Sequence, residues 1–281
     1  MFFYTQKKII STETSKFTNN IKQALLVAYL YLHWDLVALF FTIALLYASV
    51  GFGGGSSYLA ILVLTSMQFQ EVRAIALICN IIVVSNSVLV HFKKQHYTFK
   101  ESIPLVIVSI PMAFIGGTLS ISEGIFYPLL GGCLLISALF MGILTKKHSP
   151  LPQPTNNYKP YMYGGVIGFL SGIVGIGGGI FLAPLLHLTR WNTPLKIAAI
   201  TSLFIWVNSI SGLLGQCLDP ELQLDTDATT VLAITVVAGG YIGTHIGVNF
   251  IKARTLQLGT AVLVAYVAIR IIMKHYFDIY I

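Results

Sequence analysis

Charged side chains are scarce in this sequence: they make up 10% of its 281 residues, whereas hydrophobic residues make up 56%. A soluble domain carries about 25% charged residues, so this chain cannot maintain an ordinary water-exposed surface. The charges that are present fall in short stretches, and the apolar segments between them reach membrane-spanning length. The composition therefore excludes a soluble protein and predicts an integral protein of the lipid bilayer.

Motifs for catalysis and for metal binding are also missing. The chain has no Gly-Lys-Ser/Thr nucleotide loop, no Gly-x-Ser-x-Gly motif and no paired metal-ligand spacing. Its three cysteines, Cys79, Cys133 and Cys217, are expected to be small buried hydrophobes. We therefore expect neither an enzyme nor a metal or cofactor. The net charge of +7 indicates lysine- and arginine-rich cytoplasmic loops rather than binding to nucleic acid.

One long polar stretch divides the apolar segments into two groups. Residues 145–160 contain four prolines, which is typical of a linker between two units. The predicted organisation is a polar N-terminal segment (1–21), a first transmembrane repeat (22–144), the linker (145–160), a second transmembrane repeat (161–273) and a C-terminal tail (274–281).

The two groups are related by an internal repeat. The sequence from Ala48 to Gly55, ASVGFGGG, matches GIVGIGGG from Gly172 to Gly179. Three further matches follow in the same order and at a nearly constant offset, including Asn86-Ser87 with Asn208-Ser209. Such ordered self-similarity predicts a duplicated structural unit.

Each glycine cluster is followed by an apolar run that is too short to cross a bilayer. As a helix, residues 56–67 would extend about 18 Å, against about 30 Å of hydrocarbon, and residues 179–189 are similarly short. Backbone leaves the helical form at membrane depth only where protein or water satisfies its polar groups. We therefore predict glycine-broken helical hairpins over 22–67 and 161–189. The alternative is that the short segments are parts of helices that cross the whole membrane.

Each half has three further transmembrane helices. It therefore crosses the membrane three times if the glycine-broken segment is a hairpin and five times if that segment spans fully, and both numbers are odd. Two homologous halves in series then have opposite orientations. The predicted fold class is an all-α polytopic membrane protein made of two inverted-topology repeats, each a Gly-broken helical hairpin plus three transmembrane helices.

Loop charges predict the orientation of these repeats. The loops at 92–100, 145–160, 190–196 and 250–254 together hold ten lysines and arginines, whereas the loops on the other side hold only Arg73. The positive-inside rule places the first set in the cytoplasm and both termini outside, in the cell (plasma or inner) membrane. The lysines near the N-terminus argue for the opposite orientation.

The second glycine motif resembles a known family. The stretch from Gly172 to Pro184, GIVGIGGGIFLAP, followed by AITSL from Ala199, is similar to the TauE/SafE family of sulfite exporters, also described as 4-toluene sulfonate uptake permeases. The resemblance covers about residues 38–273, with a weaker copy in the first half. It implies a secondary transporter, and an exporter in the familiar members, for a small sulfur-containing anion such as sulfite, an organosulfonate or sulfoacetate.

The first half departs from this motif in two places. Ala60 stands where the second half has Pro184, and Cys79-Asn80 stands where it has Thr201-Ser202. A site in the first half therefore need not bind the same group as a site in the second.

The glycine clusters are the first candidates for binding the anion. Clustered glycines allow positive φ and expose consecutive N–H groups, and the following helix directs its positive end at the same point. The alternative is that these glycines only let helices pack closely. The candidate residues are Gly53, Gly54, Gly55, Ser56, Gly177, Gly178 and Gly179.

Polar side chains on the third and eighth apolar segments are the second group of candidates. They can donate hydrogen bonds to the oxygens of a sulfonate, or they can instead bond one helix to another. This group contains Asn80, Asn86, Thr201, Ser202 and Asn208.

Two histidines within apolar segments are candidates for coupling transport to protons. His187 and His245 can titrate near neutral pH, although a lone histidine often only bonds neighbouring backbone. A passive anion channel with the same site is the alternative function, and a membrane enzyme or assembly factor is the third. A homodimer stays open.

Overall fold

The computed structural model describes residues 33–50, 52–65, 67–93, 99–143, 158–189, 191–246, 261–262 and 264–273. These residues form helices joined by short connections, and no strand occurs among them. The first half contains α1 (Trp34–Val50), α2 (Gly55–Leu62), α3 (Phe69–Lys93), α4 (Phe99–Thr118) and α5 (Glu123–Ile143). The second half contains α6 (Lys159–Val174), α7 (Gly179–Leu188), α8 (Pro194–Gln216), α9 (Thr226–Ile246) and α10 (Val264–Met273).

In the part of the chain that the structure describes, four helices are long and apolar enough to cross a membrane: Phe69–Lys93, Glu123–Phe140, Leu195–Gln216 and Thr226–Thr244. The outer faces of the bundle carry large apolar side chains, among them Leu89, Ile107, Leu139 and Val237. Apolar groups on the outside suit a lipid environment, where no hydrophobic penalty attaches to them. The prediction of an all-helical membrane protein is confirmed.

The helices after the glycine clusters are short, as the sequence predicts. α2 has 8 residues and α7 has 10, so they extend about 12 and 15 Å. Every residue of α2 is buried, which fits a helix surrounded by protein on all sides. The start of the first predicted hairpin, residues 22–32, lies outside the described residues. At the other boundary, α6 begins at Lys159 and places Pro160 in the first turn, where a missing N–H costs nothing.

The packing of the helices follows the repeat. α4 packs against α6 and α8, and the corresponding fourth helix of the second half, α9, packs against α1 and α3. α3 crosses α8, and each short helix packs against the helix that follows it. The same network therefore results when the two halves are exchanged.

Glycines on α6 bring it into close contact with α4. At Gly164, Gly168 and Gly172, an added Cβ would lie 2.1–2.6 Å from a carbonyl oxygen of α4. Those oxygens belong in order to Leu105, Ser109 and Ala113, so the two helices run parallel. On α9, Gly239 and Gly243 approach the carbonyl oxygens of Phe41 and Leu45 in the same way. For these helical glycines, close packing accounts for the residue type.

α7 runs back along α8 after the second glycine turn. Gly178 lies against Phe204 and Gly179 against Ile205, near the middle of α8. Further along α7, Leu186 belongs to one buried cluster with Ile197 from the start of α8. The short connection at 189–193 suits two antiparallel neighbours.

Several connections meet at one end of the bundle, which we call the acidic end. Ser120 donates to the carboxylate of Asp219 (3.2 Å), and the N–H of Asp225 donates to Glu71 (2.9 Å). Gln70 contacts Glu221 at 3.5 Å. The start of α3, the α4–α5 connection and the α8–α9 connection therefore lie together, as the loop-charge analysis requires of one membrane side.

The cysteines are free, and two of them match the expectation. Cys79 and Cys133 are buried among apolar side chains. For Cys217 the expectation is wrong, because this residue is exposed in the turn after α8. The apolar helix ends one residue earlier, and the chain turns towards Asp219 at the acidic end.

Candidate functional site at the two glycine turns

The second glycine turn uses a backbone conformation that favours glycine. Gly175, Gly177 and Gly178 have φ of 80°, 81° and 82°, in the left-handed region. The first turn is built differently: Gly54 has φ −97°, and neither Gly53 nor Gly55 has positive φ. The two motifs share a sequence pattern, but only the second requires glycine for its φ angles among the described residues.

Asn80 on α3 connects the two turns. Its Oδ1 accepts the N–H of Gly55 (3.2 Å), and its Nδ2 donates to the carbonyl of Ile176 (3.2 Å) and to Oγ of Ser209 (3.0 Å). The side chain is 1% exposed. An added Cβ would lie 2.8 Å from this Nδ2 at Gly55 and 2.4 Å at Gly177. Glycine at both positions therefore allows the turns to close around one amide.

Both short helices begin at these turns without a side-chain cap. α2 begins at Gly55 and α7 at Gly179, and both residues are buried. The first N–H groups of a helix have no partner within it, and they carry the positive end of the helix dipole. In the first turn, Asn80 accepts one of these N–H groups. At the start of α7, no side chain among the described residues caps the helix.

Two residues with buried hydroxyl groups flank the start of α7. Oγ1 of Thr201 and Oγ of Ser171 have no hydrogen-bond partner among the described residues, and both side chains are fully buried. The Thr201 methyl lies 3.5 Å from the position of a Cβ on Gly179, and Cβ of Ser171 lies 3.3 Å from that on Gly178. A buried hydroxyl without a partner costs about 1–3 kcal/mol, which a bound acceptor would offset.

Ser171 is a residue that the sequence analysis missed. Its counterpart in the first half is Tyr47, whose hydroxyl pairs with Oγ of Ser57 at 2.9 Å. Close to that pair, Tyr58 stacks on Phe40, and its hydroxyl is buried without a partner in the described part of the chain. In the sequence, a polar residue directly precedes the repeated eight-residue motif in both halves, and this shared position could have indicated a functional role for Ser171.

The remaining asparagines lie away from the turns. Asn86 donates to Thr244 on α9, and Asn208 donates to Ser109 on α4 (3.0 Å). Each joins the third helix of one half to the fourth helix of the other. Ser202 donates to the carbonyl of Ala199 in its own helix (2.7 Å). Ser56 is buried in the first turn of α2, next to Gly55.

The structure thus brings together one subset of the predicted residues around the turns: Gly53, Gly54, Gly55, Ser56, Asn80, Gly177, Gly178, Gly179 and Thr201. It does not bring Asn86, Asn208 or Ser202 to the same point.

The two candidate histidines are not part of this cluster. His187 is half-buried in the last turn of α7, about 12 Å along the helix from Gly179. The side chain of His245 lies outside the described residues. Their assignment to proton coupling stays a prediction.

Arg73 is not a loop charge, contrary to the loop count. It lies in the second turn of α3, is 1% exposed, and donates from Nη2 to the carbonyl of Gly172 (3.1 Å). Gly175 packs directly on it, since an added Cβ there would lie 2.9 Å from Cβ of Arg73. In the sequence, the position of Arg73 within an apolar segment could have indicated a buried functional group.

An all-helical apolar bundle whose broken helices meet at a buried polar point defines a polytopic membrane protein of the transporter type. The chain belongs to the TauE/SafE family: the family model described as "Sulfite exporter TauE/SafE" matches residues 36–271. The resemblance read from the glycine motif is therefore confirmed.

Related proteins carry transporter names. The chain is 32% identical over 228 residues to the probable membrane transporter protein y4hK of Sinorhizobium fredii, covering 80% of this chain and 92% of the relative. It is 25% identical over 253 residues to the probable membrane transporter protein YunE of Bacillus subtilis, covering 79% of this chain and 89% of the relative. It is 32% identical over 136 residues to the probable membrane transporter protein MJ0441 of Methanocaldococcus jannaschii, covering 46% of this chain and 49% of the relative. No solved structure matches the chain at a significant level. The family and these names indicate a membrane transporter rather than an enzyme.

Proposed function

We propose that this protein is a secondary transporter that exports a small sulfur-containing anion, such as sulfite, an organosulfonate or sulfoacetate, and binds it where the glycine turns meet. The observation that carries the proposal is the buried, uncapped start of α7 beside Thr201 and Ser171, whose hydroxyls have no hydrogen-bond partner among the described residues. Sulfite and sulfonates present three oxygens that accept hydrogen bonds. The family supplies the substrate class, and the site supplies donors for it.

Neutral donors suit a site that must both bind and release. A helix N-terminus acts as about half a positive charge, and its N–H groups point at the ligand. Together with two hydroxyls it can hold an oxyanion without a cation in direct contact. Moderate binding of this kind keeps the anion from being trapped in the centre of the protein.

We further propose that the two halves have inverted topology in the cell membrane. The interchangeable packing of the halves, the parallel pairs α4–α6 and α1–α9, and the loop charges support this arrangement. Transport would then proceed by rocking of the halves around the site.

Two hydrogen bonds of Asn80 join the two halves, to Ile176 and to Ser209, and rocking would have to break both of them. Each contributes a net stabilisation of about 0.5–1.5 kcal/mol, so the two together hold the halves by about 1–3 kcal/mol. Binding of an anion at the start of α7 can offset a free-energy difference of that size. Coupling to a proton through His187 or His245 is a separate prediction.

Counterflow in proteoliposomes tests the proposal against a passive channel. Vesicles loaded with unlabelled sulfite should accumulate external labelled sulfite transiently, because a carrier exchanges one anion for another. A channel would instead pass label at a rate set by the membrane voltage. Flux that follows voltage without transient accumulation would contradict a secondary transporter.

Thermal unfolding with candidate anions tests the substrate class. A ligand that binds the native state raises Tm, by an amount that grows with concentration. Sulfite, thiosulfate, sulfoacetate, taurine and sulfate form the panel, with chloride at equal ionic strength as the control. Failure of every sulfur anion to exceed chloride would contradict the proposed substrate class.

A further inference from the structure

α3 and α8 cross with opposed directions, and two contacts fix their register. Nδ2 of Asn80 lies 3.0 Å from Oγ of Ser209. Nearer the acidic end, Cδ1 of Leu77 lies 3.7 Å from the position of a Cβ on Gly212. A step of three residues from Asn80 towards the start of α3 therefore corresponds to a step of three residues from Ser209 towards the end of α8. One further helical turn in the same directions reaches the first turns of α3 and the last turn of α8.

Arg73 and Gln216 occupy that further turn, and both are buried, with exposed fractions of 1% and 3%. Nη2 of Arg73 donates to Gly172, but its Nε has no partner among the described residues. Neither polar atom of the Gln216 amide has one there either. The carboxylate of Asp219 accepts from Ser120 and from the N–H of Glu221, and it acts on the charge of Arg73 electrostatically. A charge and a full amide are thus buried together and incompletely satisfied, which is costly in any fold.

We propose that Arg73 and Gln216 form a second anion site, which holds the sulfur oxyanion between the glycine turns and the acidic end. The identity of this ligand rests on the proposed function. A guanidinium presents planar N–H donors that match two oxygens of an oxyanion. Nε2 of Gln216 adds a third donor, and its Oε1 can accept from a singly protonated anion or a water molecule.

The position of this site makes it a second binding site along the path of the anion, separate from the glycine turns. Seven residues of α3 separate Arg73 from Asn80, about 10 Å along the helix. An anion that leaves the start of α7 towards the acidic end can be held there before release. The counterparts of Arg73 and Gln216 in the repeat are Leu195 and Lys94, so this pair occurs on one side only.

A purely structural role for Arg73 is the competing explanation. Its bond to Gly172 caps the last turn of α6, where a cation also suits the helix dipole. Replacement of Arg73 could therefore reduce binding simply by destabilising the fold. Gln216 discriminates between the two explanations, because its amide has no partner among the described residues to lose.

Gln216→Leu is therefore the decisive variant, and Gln70→Leu is its matched control at the same end. Gln70 is half-buried, and its amide donates to the carboxylate of Glu221 at 3.5 Å. We expect Gln216→Leu to retain or raise Tm, since it removes two unsatisfied atoms, whereas Gln70→Leu should change little. Arg73→Lys keeps the charge but loses the planar donors, and should weaken binding as Gln216→Leu does.

The measurement is the KM for sulfite counterflow from each side of the vesicles. An impermeant maleimide that reacts with the exposed Cys217, used on a parallel sample, gives the fraction of each orientation. Gln216→Leu should raise KM about tenfold (~1.4 kcal/mol) from the acidic end and less than twofold from the other side. An unchanged KM, or an equal rise from both sides, would overturn the second site.

Failure of the proposed function would look different. Wild-type protein would then show no sulfite counterflow at all, whatever residue stands at position 216. The second site can still be judged in that case by unfolding with sulfate. A rise in Tm that Gln216→Leu removes would support the site, and the absence of any such rise would count against it.

Discussion

The hydroxyl of Thr201 is fully buried and has no partner among the described residues, so its replacement can separate a binding role from a structural one. Valine has nearly the same shape as threonine and lacks the hydroxyl. If the hydroxyl serves the anion, Thr201→Val removes one hydrogen bond to a charged group, which contributes about 1.5–3 kcal/mol. The affinity for sulfite should then fall by a factor of about 10–150.

The stability of the unliganded protein should change in the opposite direction. An unsatisfied buried hydroxyl costs about 1–3 kcal/mol, so its removal should leave Tm unchanged or raise it. Loss of binding together with retained or increased stability is the pattern expected of a functional group. A structural threonine would give lower stability and normal binding.

Thr235 on α9 provides the matched control. It is also buried, but its Oγ1 donates to the carbonyl of Val231 at 2.7 Å. Thr235→Val should lower the free energy of unfolding by about 1 kcal/mol and leave sulfite affinity unchanged. Tm is measured in detergent with increasing sulfite, and KM by counterflow. Normal sulfite affinity in Thr201→Val would refute the assignment of this hydroxyl to the anion site.

Three further predictions concern the turn, the orientation and the coupling. Gly178→Ala should destabilise the protein by at least about 1–2 kcal/mol in thermal unfolding, because φ is 82° and an added Cβ would lie 2.8 Å from Phe204. The control is Gly132→Ala, which should be nearly neutral because no atom lies within 4 Å of an added Cβ there. Equal stabilities of the two variants would count against the turn geometry. In intact cells an impermeant maleimide should label Cys217 but neither buried cysteine; labelling only after lysis would reverse the predicted orientation. His245→Gln should abolish the dependence of uptake on a pH gradient while sulfite exchange continues, and unchanged gradient-driven uptake would leave this histidine without a coupling role.

The sequence predicted the class of protein and the location of the turns for clear physical reasons. Scarce charge and long apolar runs leave few alternatives to a membrane bundle. Repeated glycines before runs that are too short to span mark broken helices, and α2 and α7 begin within a residue of the predicted positions. These features depend on local composition and spacing, which a single chain displays directly.

Contacts between the halves could not be predicted in the same way. Asn80 was one of several polar residues in an apolar segment, and only the crossing of α3 and α8 places it between the two turns. The register of the same crossing is the basis for the proposed pairing of Arg73 with Gln216. Such pairings depend on which helices meet and at what register, and close glycine contacts far apart in the sequence determine both.

The glycine contacts of α6 with α4, and of α9 with α1, also bear on how such a protein can arise and assemble. In both pairs the backbones touch, and the two helices come from different halves. Neither half therefore contains the partner of its own first helix, and the second half expressed alone would expose the glycines of both α6 and α9 to lipid. With the halves inverted as proposed, an ancestral single unit could form the same pairs only as a dimer whose subunits insert in opposite orientations. The contacts between the two halves of this chain would then correspond to the interface of that dimer.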